Sequence, residues 1–106
     1  MAWIYLLIAG LTEIAWAVGL KHTYGWTRLG PSVLTAGLMV VSFAFLSQAL
    51  KTLPIGTAYA VWTGIGAVGT ALLGILFFGE PRTALRLVCI AFILIGIIGL
   101  KMGSEN

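Results

Sequence analysis

Charge is what this sequence has least of. Lys and Arg number 6 and Asp and Glu 3, so charged residues make up 8% of the 106-residue chain. Soluble domains carry about 25%, and a surface this poor in charge excludes a globule facing water. Histidine and cysteine occur once each, as His22 and Cys89. A lone cysteine forms no internal disulfide, and without His or Cys neighbours Cys89 belongs to no metal cluster and suggests no thiol chemistry. No metal and no cofactor are expected. Proline is limited to Pro31, Pro54 and Pro81, which punctuate the boundaries of the apolar runs. No linker or low-complexity segment marks off a second domain. What is left is 60% hydrophobic, with a mean hydropathy of +1.09.

Lipid is therefore the solvent. In hydrocarbon the backbone must satisfy its own hydrogen bonds, which leaves helices or a closed barrel. The apolar runs are long and do not alternate, and this excludes a barrel. The fold class is an all-α membrane protein with four transmembrane helices, over about 3–20, 32–50, 57–78 and 87–100, in one domain covering 1–106. The first run has no basic leader and no convincing cleavage site, so it is expected to be a retained helix and not a signal peptide. The net charge of +3 comes from Lys and Arg between the spans. It points to lipid headgroups as neighbours and not to nucleic acid.

Glu13 breaks the rule of the first span. Trp3 to Leu20 contains no other charge, and Glu13 falls within about 3 Å of its midpoint at about 1.5 Å per residue. A charge there costs on the order of 3 kcal/mol or more. A carboxylate in that place either binds a cation, carries a proton, or does both. The structural alternative is a permanently protonated Glu13 hydrogen-bonded to a neighbouring helix.

The other spans supply fewer polar groups. His22 and Lys21 fall in the first loop, where His22 is either a pH sensor or simply solvated, and Tyr24 and Trp26 suit an aromatic belt. Ser42, near the middle of the second span, either bonds across to another helix or back onto its own. Gln48 is expected at the interface. In the third span Tyr59, Trp62 and Thr63 share one face at spacings of three and four. Gly56-Ala60-Gly64 and Gly66-Thr70-Gly74 are small-xxx-small patterns for close helix approach. Gly64-Ile65-Gly66 is either tight packing or a hinge. The fourth span is almost wholly aliphatic, and Gly96 and Gly99 leave it a flat strip suited to packing against another subunit. The tail from Lys101 to Asn106 is short and polar.

Four spans put both termini on one side of the membrane with Lys51 and Lys101, against Lys21, Arg28, Arg82 and Arg86 on the other. Two against four is a weak orientation bias, so insertion in both directions is expected. A bundle this thin has little room for a central cavity. A transporter of this size would need a dimer, and two oppositely inserted copies would form an inverted repeat with both Glu13 residues near the midplane.

The chain resembles the small multidrug resistance family along its whole length. The resemblance rests on four short spans, on Gly10-Leu11-Thr12-Glu13-Ile14-Ala15-Trp16, and on a glycine-rich third helix. The run Leu53-Pro54-Ile55-Gly56-Thr57-Ala58-Tyr59-Ala60-Val61-Trp62-Thr63-Gly64-Ile65-Gly66-Ala67-Val68-Gly69 is similar to the guanidinium exporter subtype in particular. The resemblance implies an antiparallel, dual-topology homodimer in the bacterial inner membrane that exports guanidinium in exchange for protons. It implies that Glu13 binds substrate and proton in turn, with Trp16, Ser42, Tyr59 and Trp62 around it and Gly10 and Thr63 as a secondary set. It further implies a flexible point at Gly64 and Gly66 and dimer packing through Gly96 and Gly99.

Guanidinium is planar and weakly hydrated, and a carboxylate accepts two parallel N–H bonds from such a group. Ser or Tyr hydroxyls suit its remaining N–H groups. The faces of Trp16 and Trp62 suit its flat side, at roughly 0.5–2 kcal/mol. Three rivals remain. One is a broader exporter of quaternary ammonium and other bulky cations. Another is a proton-carrying membrane subunit, which typically needs only a helical hairpin. The third is a purely structural membrane protein.

Overall fold

A computed structural model describes residues 1–103. It contains four helices: α1 Ala2–His22, α2 Leu29–Ala49, α3 Ile55–Phe77 and α4 Ala84–Met102. Each is long and apolar enough to cross a membrane, as their composition requires of segments that keep every backbone hydrogen bond internal. The last three residues of the tail lie outside the described residues, while Lys101 and Met102 belong to α4.

The helices run longer than hydropathy alone indicates. α1 continues through Lys21 and His22, so His22 is not a loop residue. Its Nδ1 lies 3.1 Å from the carbonyl of Val18. Cations suit the negative end of a helix dipole, and Thr23 closes the end by donating from Oγ1 to Leu20 O at 2.8 Å and accepting from Trp26 N at 3.2 Å. The turn that follows places Tyr24, Gly25 and Trp26 all at positive φ. α2 begins at Leu29, which puts Pro31 inside its first turn, where a missing N–H costs little. α4 begins three residues ahead of the expected Leu87, because Thr83 Oγ1 accepts from Arg86 N at 3.3 Å and caps it. Glu80 and Arg82 accordingly lie in the loop ahead of the helix and not in its first turn. Glu80 pairs with Arg86.

α1 is the centre of the arrangement. It packs on both α2 and α3, and α4 packs on α3. The described chain is a slab of 43 × 35 × 16 Å, too thin in its short dimension to enclose a lumen between helices that are each about 10 Å across. The core gathers at one end, where Leu6 and Ala9 of α1 meet Ala49, Leu53, Ala58, Val61 and Trp62. Elsewhere the helices touch through glycines. A Cβ on Gly10 would strike Ile65, one on Gly19 would strike Thr35, and one on Gly69 would strike Ile14. These contacts hold α1 close to both neighbours, as small residues do in lipid, where no hydrophobic drive pulls helices together.

Candidate functional site

Three helices meet at the carbonyl of Ala9, one turn before Glu13. Ser42 Oγ of α2 donates to Ala9 O at 2.7 Å. Trp62 Nε1 of α3 lies 3.2 Å from the same oxygen and 3.1 Å from Ser42 Oγ, and so donates between them. Thr12 Oγ1 donates to Ala9 O as well, at 2.9 Å. Ser42 is wholly buried and Trp62 nearly so. Of the two alternatives open for Ser42, the cross-helix bond is the one formed. A hydroxyl and an indole N–H inside a membrane protein need acceptors, and one backbone oxygen serves both.

Aromatic rings continue from this junction on both sides. Trp62 sits 5.5 Å from Tyr59 and 5.8 Å from Phe43, and Phe43 sits 6.3 Å from Trp16, all centroid to centroid. Trp16, Tyr59 and Trp62 thus belong to one chain of rings, linked by Phe43, which the sequence did not single out. Tyr59 and Thr63 turn outward while Trp62 turns in. The face shared by these three residues is therefore divided between the chain's own core and its outer surface.

Glu13 lies one turn further along α1, one residue past the middle of that helix. Its carboxylate lies directly over Gly66 of α3: a Cβ at position 66 would collide with Oε1 and with the carboxyl carbon. Gly66 is the seat of the carboxylate. Gly64, two residues earlier, faces the other way, and a Cβ there would come within 2.9 Å of Ile97 of α4. α3 itself is continuous through both. Gly10 is buried against Ile65 and forms part of the α1–α3 contact.

Two polar atoms in this region are buried with no hydrogen-bond partner, Glu13 Oε1 and Trp16 Nε1. One is an acceptor and the other a donor. They are three residues apart on one face of α1. Orphaned groups of this kind are rare in folded proteins and call for a partner. An unpaired carboxylate oxygen on the same helix as Trp16 can take a proton or the N–H groups of a cation.

A family model for the small multidrug resistance protein matches residues 1–93. The chain belongs to the small multidrug resistance family. It is 61% identical over 104 residues to a guanidinium exporter of Proteus vulgaris, covering 98% of this chain and 100% of that protein. It is 60% identical over 105 residues to guanidinium exporters of Citrobacter freundii and Salmonella typhimurium, covering 99% of this chain and 100% of each of those. As a family member it is a multi-pass transporter and not an enzyme. Gly96 and Gly99 of α4 are exposed, with nothing within 4 Å of where their Cβ atoms would stand.

Sequence reasoning missed the Ala9 carbonyl and Phe43. A backbone oxygen carries no signature in a sequence, and a phenylalanine in an apolar span stands out only through its neighbours in space. The seat at Gly66 was partly legible, since a small residue in α3 suggested close approach, but not what approaches it.

Proposed function

We propose that the chain exports guanidinium across the bacterial inner membrane in exchange for protons, with Glu13 binding proton and cation in turn. The observation that carries this reading is the buried, unpartnered Glu13 Oε1 in the middle of a membrane span. The names of the relatives, guanidinium exporters that align over 98–99% of this chain, support guanidinium as the cation. A carboxylate free of protein partners can form the paired N–H bonds that guanidinium offers. Trp16, Tyr59 and Trp62 offer ring faces to its flat side. Ser42 acts by holding Trp62 in place through Ala9, and Thr63 stands on the outward surface of α3. Gly10 contributes the close contact that sets α1 against α3.

The transporting unit is a homodimer of two copies inserted in opposite directions. Three observations support this. The slab has no interior of its own, Tyr59 is 56% exposed beside the site, and the glycine strip of α4 is bare. Trp16 Nε1 is a buried donor without an acceptor, and a second copy would bring further acceptors to it. Two Glu13 carboxylates in one dimer allow two protons to be exchanged for one cation. Gly64 and Gly66 leave α3 without side chains where it meets α4 and Glu13, and this lets α3 flex between inward- and outward-open forms.

Proton flux in proteoliposomes tests the reading. Guanidinium added to one side should drive protons the opposite way, and a bulky quaternary ammonium should drive far fewer. Equal flux with both would make this a broad cation exporter using the same carboxylate. Absence of flux with either, in vesicles shown to contain folded protein, would refute the export reading.

A further inference from the structure

A cavity of the described chain lies away from Glu13. α1 and α4 both pack on α3, while among the described residues their backbones stay apart. The gap between them is a groove of about 450 Å³. Trp3 and Leu7 form one wall, Ile98 and Lys101 the other, and Ile65 and Ile97 lie at its floor. Its lining is apolar except at the end nearest the termini. There Lys101 Nζ stands 5.1 Å from the centre of the Trp3 ring. Among the described residues, Lys101 is the only charged residue of the lining.

We infer that this groove is a binding site for an anionic phospholipid, with one acyl chain between α1 and α4 and the phosphate on Lys101. The argument is one of fit and charge. The groove runs along the outside of helices that cross a bilayer, and Leu7 and Ile98 are about half exposed, so hydrocarbon is the medium at its opening. A groove lined by apolar side chains and opening onto hydrocarbon suits an acyl chain, and its one lysine suits the headgroup. Trp and Lys at the end of a span are the residues that sit at headgroup level. A lysine there attracts anionic headgroups. The groove also lies on the flank of α4 opposite the proposed dimer strip. At about 100° per residue, Ile98 and Gly96 point some 160° apart around the helix, so pairing through Gly96 and Gly99 leaves the groove open. The inference does not depend on which cation is transported.

Native mass spectrometry of the full chain, released from detergent after incubation with phosphatidylglycerol or phosphatidylcholine, tests it. The wild-type protein should retain phosphatidylglycerol over phosphatidylcholine about fivefold, the preference one interfacial lysine supplies. Lys101→Gln should bring the two lipids to parity. Lys51→Gln, at the same membrane surface but outside the groove, should leave the preference intact. Ile98→Trp and Leu7→Phe, which fill the groove from opposite walls, should each reduce retention of both lipids. Excess inorganic phosphate should displace neither. Three results would overturn the assignment: an unchanged preference in Lys101→Gln, full lipid retention in both filled variants, or filled variants that lose the dimer while keeping the lipid.

Discussion

At the scale of single residues, this chain places its polar atoms where one carbonyl or one missing side chain can receive them. Ala9 O accepts from Ser42 and Trp62 across separations of 33 and 53 residues. Ser42→Ala leaves Trp62 bonded to Ala9 but removes two interhelical bonds, Ser42 Oγ to Ala9 O and Trp62 Nε1 to Ser42 Oγ. Such bonds average about 0.6 kcal/mol in membranes and reach about 1.7, so unfolding in mild detergent should show a loss of about 1 kcal/mol. Gly66 is a more demanding position. Gly66→Ala drives a methyl into the Glu13 carboxylate and should lower guanidinium-driven flux roughly tenfold or more, the scale set by misplacing a reacting group. Gly56→Ala, with nothing within 4 Å, should leave flux near the wild-type value. If Gly66→Ala transports normally, the seat is not where the carboxylate works. Glu13 was legible in the sequence because a lone carboxylate in an apolar span is a local anomaly. Its seat and the Ala9 junction were not, because both arise only when distant segments pack.

At the scale of elements, the four helices follow from hydropathy, which is a property of each segment by itself. Their ends do not, because capping decides them. Thr83 starts α4 early, and Thr23 with two basic residues carries α1 to His22. The small-residue patterns in α3 were expected to allow close helix approach, with Gly64-Ile65-Gly66 open to tight packing or a hinge, and the structure gives the glycines different neighbours. Gly66 receives Glu13, Gly64 receives Ile97, and Gly56 has open space. In α4 the helix turns one side to α3 and leaves Gly96 and Gly99 bare. If that strip joins two copies, Gly96→Ile together with Gly99→Ile should shift the protein from dimer toward monomer in detergent, read by cross-linking or light scattering. The single substitution Cys89→Ser, at an exposed position of the same helix, should not. A dimer population unchanged by the double substitution would move the contact elsewhere.

At the scale of the whole molecule, a slab 16 Å thick cannot surround a substrate. The weak charge asymmetry between its two ends permits both insertions. In the described chain the cations of the two ends are themselves engaged: Lys101 stands over Trp3 at one, while at the other Lys21 lies over Phe78 and Arg28 over Tyr24. Reporters fused to the C-terminus should therefore find it on both sides of the inner membrane in comparable amounts. Two added lysines next to Lys51 should bias it to the cytoplasm. A single orientation in the unmodified chain would rule out the antiparallel dimer. The sequence carried the topology argument through its loop charges. It carried no information on the slab's thickness, which depends on how α1 packs on α2 and α3.

The most direct test of exchange at Glu13 is guanidinium-driven proton movement in proteoliposomes holding either the wild-type protein or Glu13→Gln. The amide keeps the shape of the side chain but neither ionises nor pairs with a cation. Wild-type vesicles should move protons against an imposed guanidinium gradient. Vesicles with Glu13→Gln should move none, while the variant still inserts and unfolds with wild-type stability to within about 1 kcal/mol, the scale of a typical point mutation. Coupled proton movement that survives in Glu13→Gln would contradict the mechanism, because among the described residues no other carboxylate lies within a span.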